Sequence, residues 1–128
     1  MNIPSELRYS SDHEWVRRDG DTVTIGITEY AQDALGDVVF VEIPEQGAGV
    51  SSGDSFTEVE STKSVSDIYA PVSGTIAAVN DALESHPELL NSDPYGEGWI
   101  CSIEMSDPAE FAALMDADSY RALTEGEG

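Results

Sequence analysis

The chain has 128 residues, 40% of them hydrophobic, which is enough for one domain with a modest core. Twenty-six Asp and Glu stand against five Lys and Arg, giving a formal net charge of −21; this excludes nucleic acid and anionic membrane surfaces as partners, since both are bound through clustered Lys/Arg. Disorder does not fit either, because β-branched and aromatic residues recur in strand-like patterns that disordered chains lack.

His13 to Arg18 contains Trp15 and Val16 and runs into a turn at Asp19-Gly20-Asp21. Thr22 to Ile27 then alternates polar and apolar, the period of a half-buried strand, so the two segments form an antiparallel hairpin. Thr28 is placed to cap a short helix over Glu29 to Leu35, with Glu29 in its first turn and Gly36 just past its end. Val38 to Ile43 is a continuous apolar run and is expected to be a buried strand stopped by Pro44; Gln46 to Gly49 is expected to be a loop. Ser55 to Ser61 and Ser64 to Tyr69 are strands on either side of Lys63, and Thr75 to Val79 is another, after a turn at Pro71 to Gly74.

From Asn80 to Gly98 the breakers Pro87, Pro94, Gly96 and Gly98 predict mostly loop, with a helical turn near Pro87 to Leu90. Trp99 to Met105 alternates again and is expected to be a strand. Asp107-Pro108-Ala109-Glu110 has a capping-box pattern, and Asp116 is placed to cap a second short helix through Leu123. The tail from Thr124 to Gly128 is expected to fray. The fold class is mostly β, a sandwich or flattened barrel in one domain spanning 1–128, with a hairpin at about 53–74 and a C-terminal helical segment at about 107–123.

Lys63 is the one lysine in the chain; the other positive charges are Arg8, Arg17, Arg18 and Arg121. A chain that otherwise does without lysine keeps this one for amine chemistry, since an ε-amine can be acylated and a guanidinium cannot easily be. Gly53 and Gly74 bracket it almost symmetrically, and Ser61, Thr62, Ser64 and Ser66 suit an exposed tight turn. A lysine at a protruding hairpin tip can be reached by a modifying enzyme and can hold a long prosthetic arm, as group carriers require.

The segment Glu60 to Asp67, followed by Ala70-Pro71-Val72-Ser73-Gly74, resembles the lipoyl-attachment region of the glycine cleavage H-protein family. Ser11-Asp12-His13-Glu14-Trp15-Val16, Thr24 to Thr28, Ala34 to Val41 and Asn91 to Ile100 are similar to further segments of that family in the same order, so the resemblance runs from Tyr9 through Tyr120. Two positions depart from the pattern: Thr62 stands where valine is common, and Asp12 stands where small hydroxyl residues are common.

The resemblance implies a lipoyl-domain-like barrel-sandwich hybrid of two antiparallel sheets. It implies lipoate in amide linkage on Lys63, and Glu14 and Asp67 near the amino group at the end of the loaded arm, with Asp12 as a third acid in that corner. The implied partners are the glycine decarboxylase (P protein), the aminomethyltransferase (T protein), dihydrolipoamide dehydrogenase (L protein) and a lipoate-attaching enzyme. The protein is then a monomeric, non-catalytic shuttle. Four alternatives remain. A biotin carrier normally has methionines where Thr62 and Ser64 stand. A 2-oxo acid dehydrogenase lipoyl domain usually belongs to a longer chain. A lipoyl-relay protein is not separated by sequence, and a small hydrolase has no supporting constellation.

The remaining reactive groups have plainer readings. Cys101, on an apolar strand, is a buried inert thiol and requires no oxidising compartment. His86 is a surface residue beside Pro87, and no catalytic triad or metal cluster is expected. Met1 to Glu6 lacks the basic and apolar regions of a secretory leader, and no apolar run approaches membrane-spanning length, so a cytoplasmic, salt-adapted protein is expected.

Overall fold

The computed structural model describes residues 2–127. Nine strands and five helices are present among them, in the order β1 (Arg8–Tyr9), β2 (Glu14–Asp19), β3 (Thr22–Ile27), α1 (Glu29–Leu35), β4 (Val38–Val41), β5 (Gly49–Val50), β6 (Ser55–Ser61), β7 (Val65–Tyr69), β8 (Gly74–Val79), α2 (Ala82–Ser85), α3 (Leu89–Ser92), β9 (Cys101–Met105), α4 (Ala109–Ala112) and α5 (Ala117–Glu127). All pairings are antiparallel and form two sheets, β1-β2-β3-β9-β8-β5 and β4-β6-β7. Val16, Ile25, Ile76 and Ile103 from the larger sheet pack with Val41, Val59 and Ile68 from the smaller one in a single core. This is the expected two-sheet hybrid, open rather than closed into a barrel.

The β2–β3 hairpin has Asp19 opposite Thr22, leaving Gly20 and Asp21 as its two-residue turn, with Gly20 at φ 66°. Helix α1 has the expected limits. The Thr28 side chain accepts from the Ala31 N–H, and the Gly36 N–H closes the last turn on the Gln32 carbonyl.

Five expectations need correction. Val38 to Ile43 is not a buried strand: it ends at Val41, and Val39 and Phe40 are both exposed. The register slips between Val38 and Phe40, so a β-bulge turns two consecutive side chains outward. Gln46 to Gly49 is not all loop, since Gly49 and Val50 pair with Gly74 and Thr75.

The capping box at Asp107 is half formed. Asp107 accepts from the Ala109 N–H, but Glu110 turns away to accept from the Ser73 N–H and hydroxyl. The last helix does not stop at Leu123 and continues to Glu127; Gly128 lies outside the described residues. Asp116 does cap it: the Ser119 N–H donates to the Asp116 carboxylate and holds it below the usual range. Between Asn80 and Gly98 the expected single helical turn is two, α2 and α3.

Candidate functional site

Lys63 lies at the tip of the β6–β7 hairpin and is exposed. The tip is a tight, self-bonded turn. The Ser61 N–H donates to the Ser64 carbonyl at 2.8 Å, and the Ser61 hydroxyl oxygen accepts from the Lys63 and Ser64 N–H groups at 3.2 and 3.1 Å. This is the Ser/Thr turn chemistry that the small polar neighbours predict. The Thr62 N–H donates to the Asp37 carbonyl at 3.0 Å, which ties the tip to the segment between α1 and β4.

That segment is the bed on which the lysine stem lies. A Cβ on Gly36 would come within 3.3 Å of Lys63 Cε and 3.9 Å of Nζ. Gly36 also has φ 81°, a left-handed conformation that side chains disfavour. Asn91 holds the bed in place: its amide N–H groups donate to the Gly36 carbonyl and Gln32 Oε1, and its Oδ1 accepts from the Val38 N–H. Gly36→Ala is therefore expected to cost about 1–2 kcal/mol in denaturant unfolding, and an unchanged midpoint would contradict this account of the bed.

Beside the tip lies a cleft of about 230 Å³. Ile27, Ala31, Leu35 and Ile68 give it an apolar lining, Ser64, Ser66 and Asp67 border it from the lysine hairpin, and Asp12 adds a second carboxylate. His13 and Tyr30 also line it, with their rings stacked at 4.6 Å. His13 takes φ 69°, rare for a side-chain-bearing residue. Its Nδ1 is 2.8 Å from the Tyr120 hydroxyl of α5, which is 2.7 Å from the Thr28 hydroxyl that caps α1. The C-terminal helix thus fixes both the cleft wall and the helix bearing its apolar face.

Glu14 does not line this cleft. It faces an adjoining one of about 340 Å³ that also includes Asp12 and Pro71. Glu14 is 1% exposed, and its carboxylate accepts from the Ser10 hydroxyl at 2.6 Å. Burial raises its pKa from 4.5 to about 7; the Ser10 hydrogen bond and the Tyr69 backbone N–H oppose the rise, and nearby Asp12 adds to it. Asp67 and Asp12 thus share one cleft, bordered by Ser64 next to Lys63, and Asp12 links it to the cleft of Glu14. Asp67 is exposed.

An amine at a rigid tip, lying over a glycine bed and beside a half-apolar, acid-edged cleft, is what a tethered arm with a cationic end requires. Over residues 7–127 the chain matches the family model for the glycine cleavage H-protein. The chain belongs to the glycine cleavage H-protein family. It is 59% identical to the glycine cleavage system H protein of Cronobacter sakazakii over 127 residues, covering 98% of each chain. It is 60% identical to that of Mycobacterium avium over 130 residues, covering 97% of this chain and 98% of the relative. The crystal structure of the Mycobacterium marinum H protein superposes with a TM-score of 0.88 at 43% identity, covering 96% and 99% of the two chains.

Sequence reasoning missed Asn91, Tyr120 and the part Gly36 plays beneath the lysine. Each acts through contacts between segments distant along the chain, and none forms a local motif. Cys101 is buried as expected, and burial pushes its thiol up to about 12. His86 is exposed and lies 3.3 Å from Glu88. No group of three metal-ligating side chains occurs among the described residues.

Proposed function

We propose that Lys63 is the residue through which this family member carries lipoate, and that Asp67, Asp12 and Glu14 serve the amino group at the end of the loaded arm. As an H protein the chain is a non-catalytic carrier of the glycine cleavage system. It takes the aminomethyl group of glycine from the decarboxylase to the aminomethyltransferase and is reoxidised by dihydrolipoamide dehydrogenase. Lipoate, when bound, supplies the disulfide that accepts this group and the dithiol that is later reoxidised.

The observation that carries the site assignment is the position of the chain's one lysine, exposed on the hairpin tip beside the cleft. The chain's own residues do the rest. The serine turn holds the tip exposed, and Gly36 leaves room for the lysine stem that lies over it. Ile27, Ala31, Leu35 and Ile68 offer apolar surface to a hydrocarbon chain, and such shelter keeps water from a labile adduct. Asp67 and Asp12 offer carboxylates to a cation.

Reconstitution tests the reading. Lipoylated protein with the decarboxylase is expected to support exchange of the glycine carboxyl group with bicarbonate. Protein that accepts lipoate but supports no exchange would instead be a lipoyl-relay protein.

A cytoplasmic, salt-adapted setting fits the composition. No helix among the described residues is long and apolar enough to cross a membrane. A formal charge of −21 on 128 residues repels itself, and the screening length grows from about 3 Å at 1 M salt to about 30 Å at 0.01 M. The melting temperature is expected to fall as salt is withdrawn across that range; a flat profile would contradict the salt-adapted reading.

A further inference from the structure

The large hydrophobic side chains that stand exposed include Val39, Phe40 and Val65, at 53%, 49% and 58%. They gather at the lysine end of the smaller sheet. Phe40 pairs with Glu60, and Glu60 with Val65, so the three lie in one row across β4, β6 and β7 and share its outer face. Val39 joins them through the bulge. Val65 is two residues from Lys63, and the Thr62–Asp37 hydrogen bond fastens the tip to the segment leading into β4. Patch and lysine are therefore one rigid unit.

The rim of the patch is acidic. Glu60 sits in the row itself, and Glu58 directly faces Asp67 two residues along. Like charges placed opposite each other across strands cost stability. From residue 38 to residue 69 the chain has no cation except Lys63, since its arginines lie at 8, 17, 18 and 121. This surface suits a partner that offers an apolar patch flanked by Lys or Arg.

We propose that the Val39–Phe40–Val65 patch is the docking surface for the lipoate-attaching enzyme. The inference rests on Lys63 being the acceptor. Distance selects this partner. Attachment forms an amide: the ammonium gives up a proton, the free amine attacks an acyl-activated lipoyl group supplied by the enzyme, and the activating group leaves with the second proton. The enzyme must bring its reacting carbon to Nζ itself, and so must cover the flanks of the hairpin. Partners that act on the far end of a finished arm can stand further off.

The test measures lipoylation of the whole chain by a purified ATP-dependent lipoate–protein ligase, followed by intact mass at varied carrier concentration. Phe40→Thr with Val65→Thr keeps residues that strands accept and removes the apolar area. It is expected to lower kcat/KM about tenfold or more, mainly through KM, as loss of a docking anchor does. Glu60→Lys, which leaves the apolar residues in place, is expected to lower it as well. Each variant, driven to full lipoylation with excess ligase, is expected to be turned over by dihydrolipoamide dehydrogenase at the wild-type rate.

An unchanged kcat/KM in the double variant overturns the proposal. So does an equal loss with the dehydrogenase, which would make the effect structural or general. A concentration-dependent dimer of the wild type that the double variant abolishes also overturns it, because the patch would then belong to a second copy. Wild type that takes no lipoyl group removes the carrier reading and the surface together, whereas labelled wild type with unimpaired variants removes the surface alone.

Discussion

Lys63→Arg is expected to reduce glycine–bicarbonate exchange and aminomethyl transfer to the background seen without carrier, while leaving the fold intact. Arginine keeps the positive charge but does not accept an acyl group under enzymatic conditions. No second lysine exists to take over, because Lys63 is the chain's one ε-amine. Its side chain is exposed and lies over Gly36 without entering the core. The variant should therefore unfold within about 0.5 kcal/mol of the wild type, as exposed substitutions generally do. Loss of activity with an unchanged melting curve, together with absence of the lipoyl mass increment, is the predicted result. Turnover above background would place the acceptor elsewhere.

Glu14→Gln is expected to stabilise the unloaded protein at pH 8 and to shorten the life of its loaded form. Glu14 is 1% exposed, and burial lifts its pKa from 4.5 to about 7. Below pH 4.5 the carboxyl is protonated in both the folded and unfolded chains, and nothing is lost. Between pH 4.5 and 7 the unfolded carboxyl ionises while the folded one keeps its proton, so stability falls as pH rises. Above pH 7 both are ionised and the deficit is constant, on the order of 3 kcal/mol.

Glutamine has nearly the same shape and never ionises, so the gain should appear at pH 8 and vanish at pH 4. A cationic amine brought beside Glu14 would supply the charge that burial leaves uncompensated. Removing the carboxylate should therefore speed release of formaldehyde and ammonia from the loaded protein. Denaturation at the two pH values and the release rate check the two halves separately. A variant that is less stable at pH 8, or that holds its cargo as long as the wild type, would contradict the assigned role.

The features legible in the sequence are those built from local chemistry. Thr28, Glu29 and Gly36 announce both ends of α1 because capping acts within one turn. The lysine hairpin shows in its serines and in the alternation of β6, which leaves Thr57 and Val59 buried and Glu58 and Glu60 exposed. Val39 and Phe40 were not legible as surface. A continuous apolar run has the look of a buried strand, and a bulge leaves no mark in hydrophobic period. β1 and β5, with two residues each, are too short to have a period at all.

The site shows the same division. Lys63 announces itself by being alone. The pairing of acids follows the path of the chain in space, which places Asp67 and Asp12 on the cleft beside the lysine hairpin and Glu14 in its neighbour. Asn91 under the Gly36–Val38 bed, and Tyr120 behind His13 and Thr28, join α3 and α5 to residues far away along the chain. Glu110 answers to Ser73 for the same reason: a partner across the fold displaces the local box.

The most direct trial of the central claim is mass spectrometry of the protein purified from its own host, first intact and then as proteolytic fragments. The account predicts an added mass equal to one lipoyl group, confined to the fragment that contains Lys63. An unmodified chain from cells with active glycine cleavage, a biotinyl increment, or a lipoyl group on any other residue would contradict it.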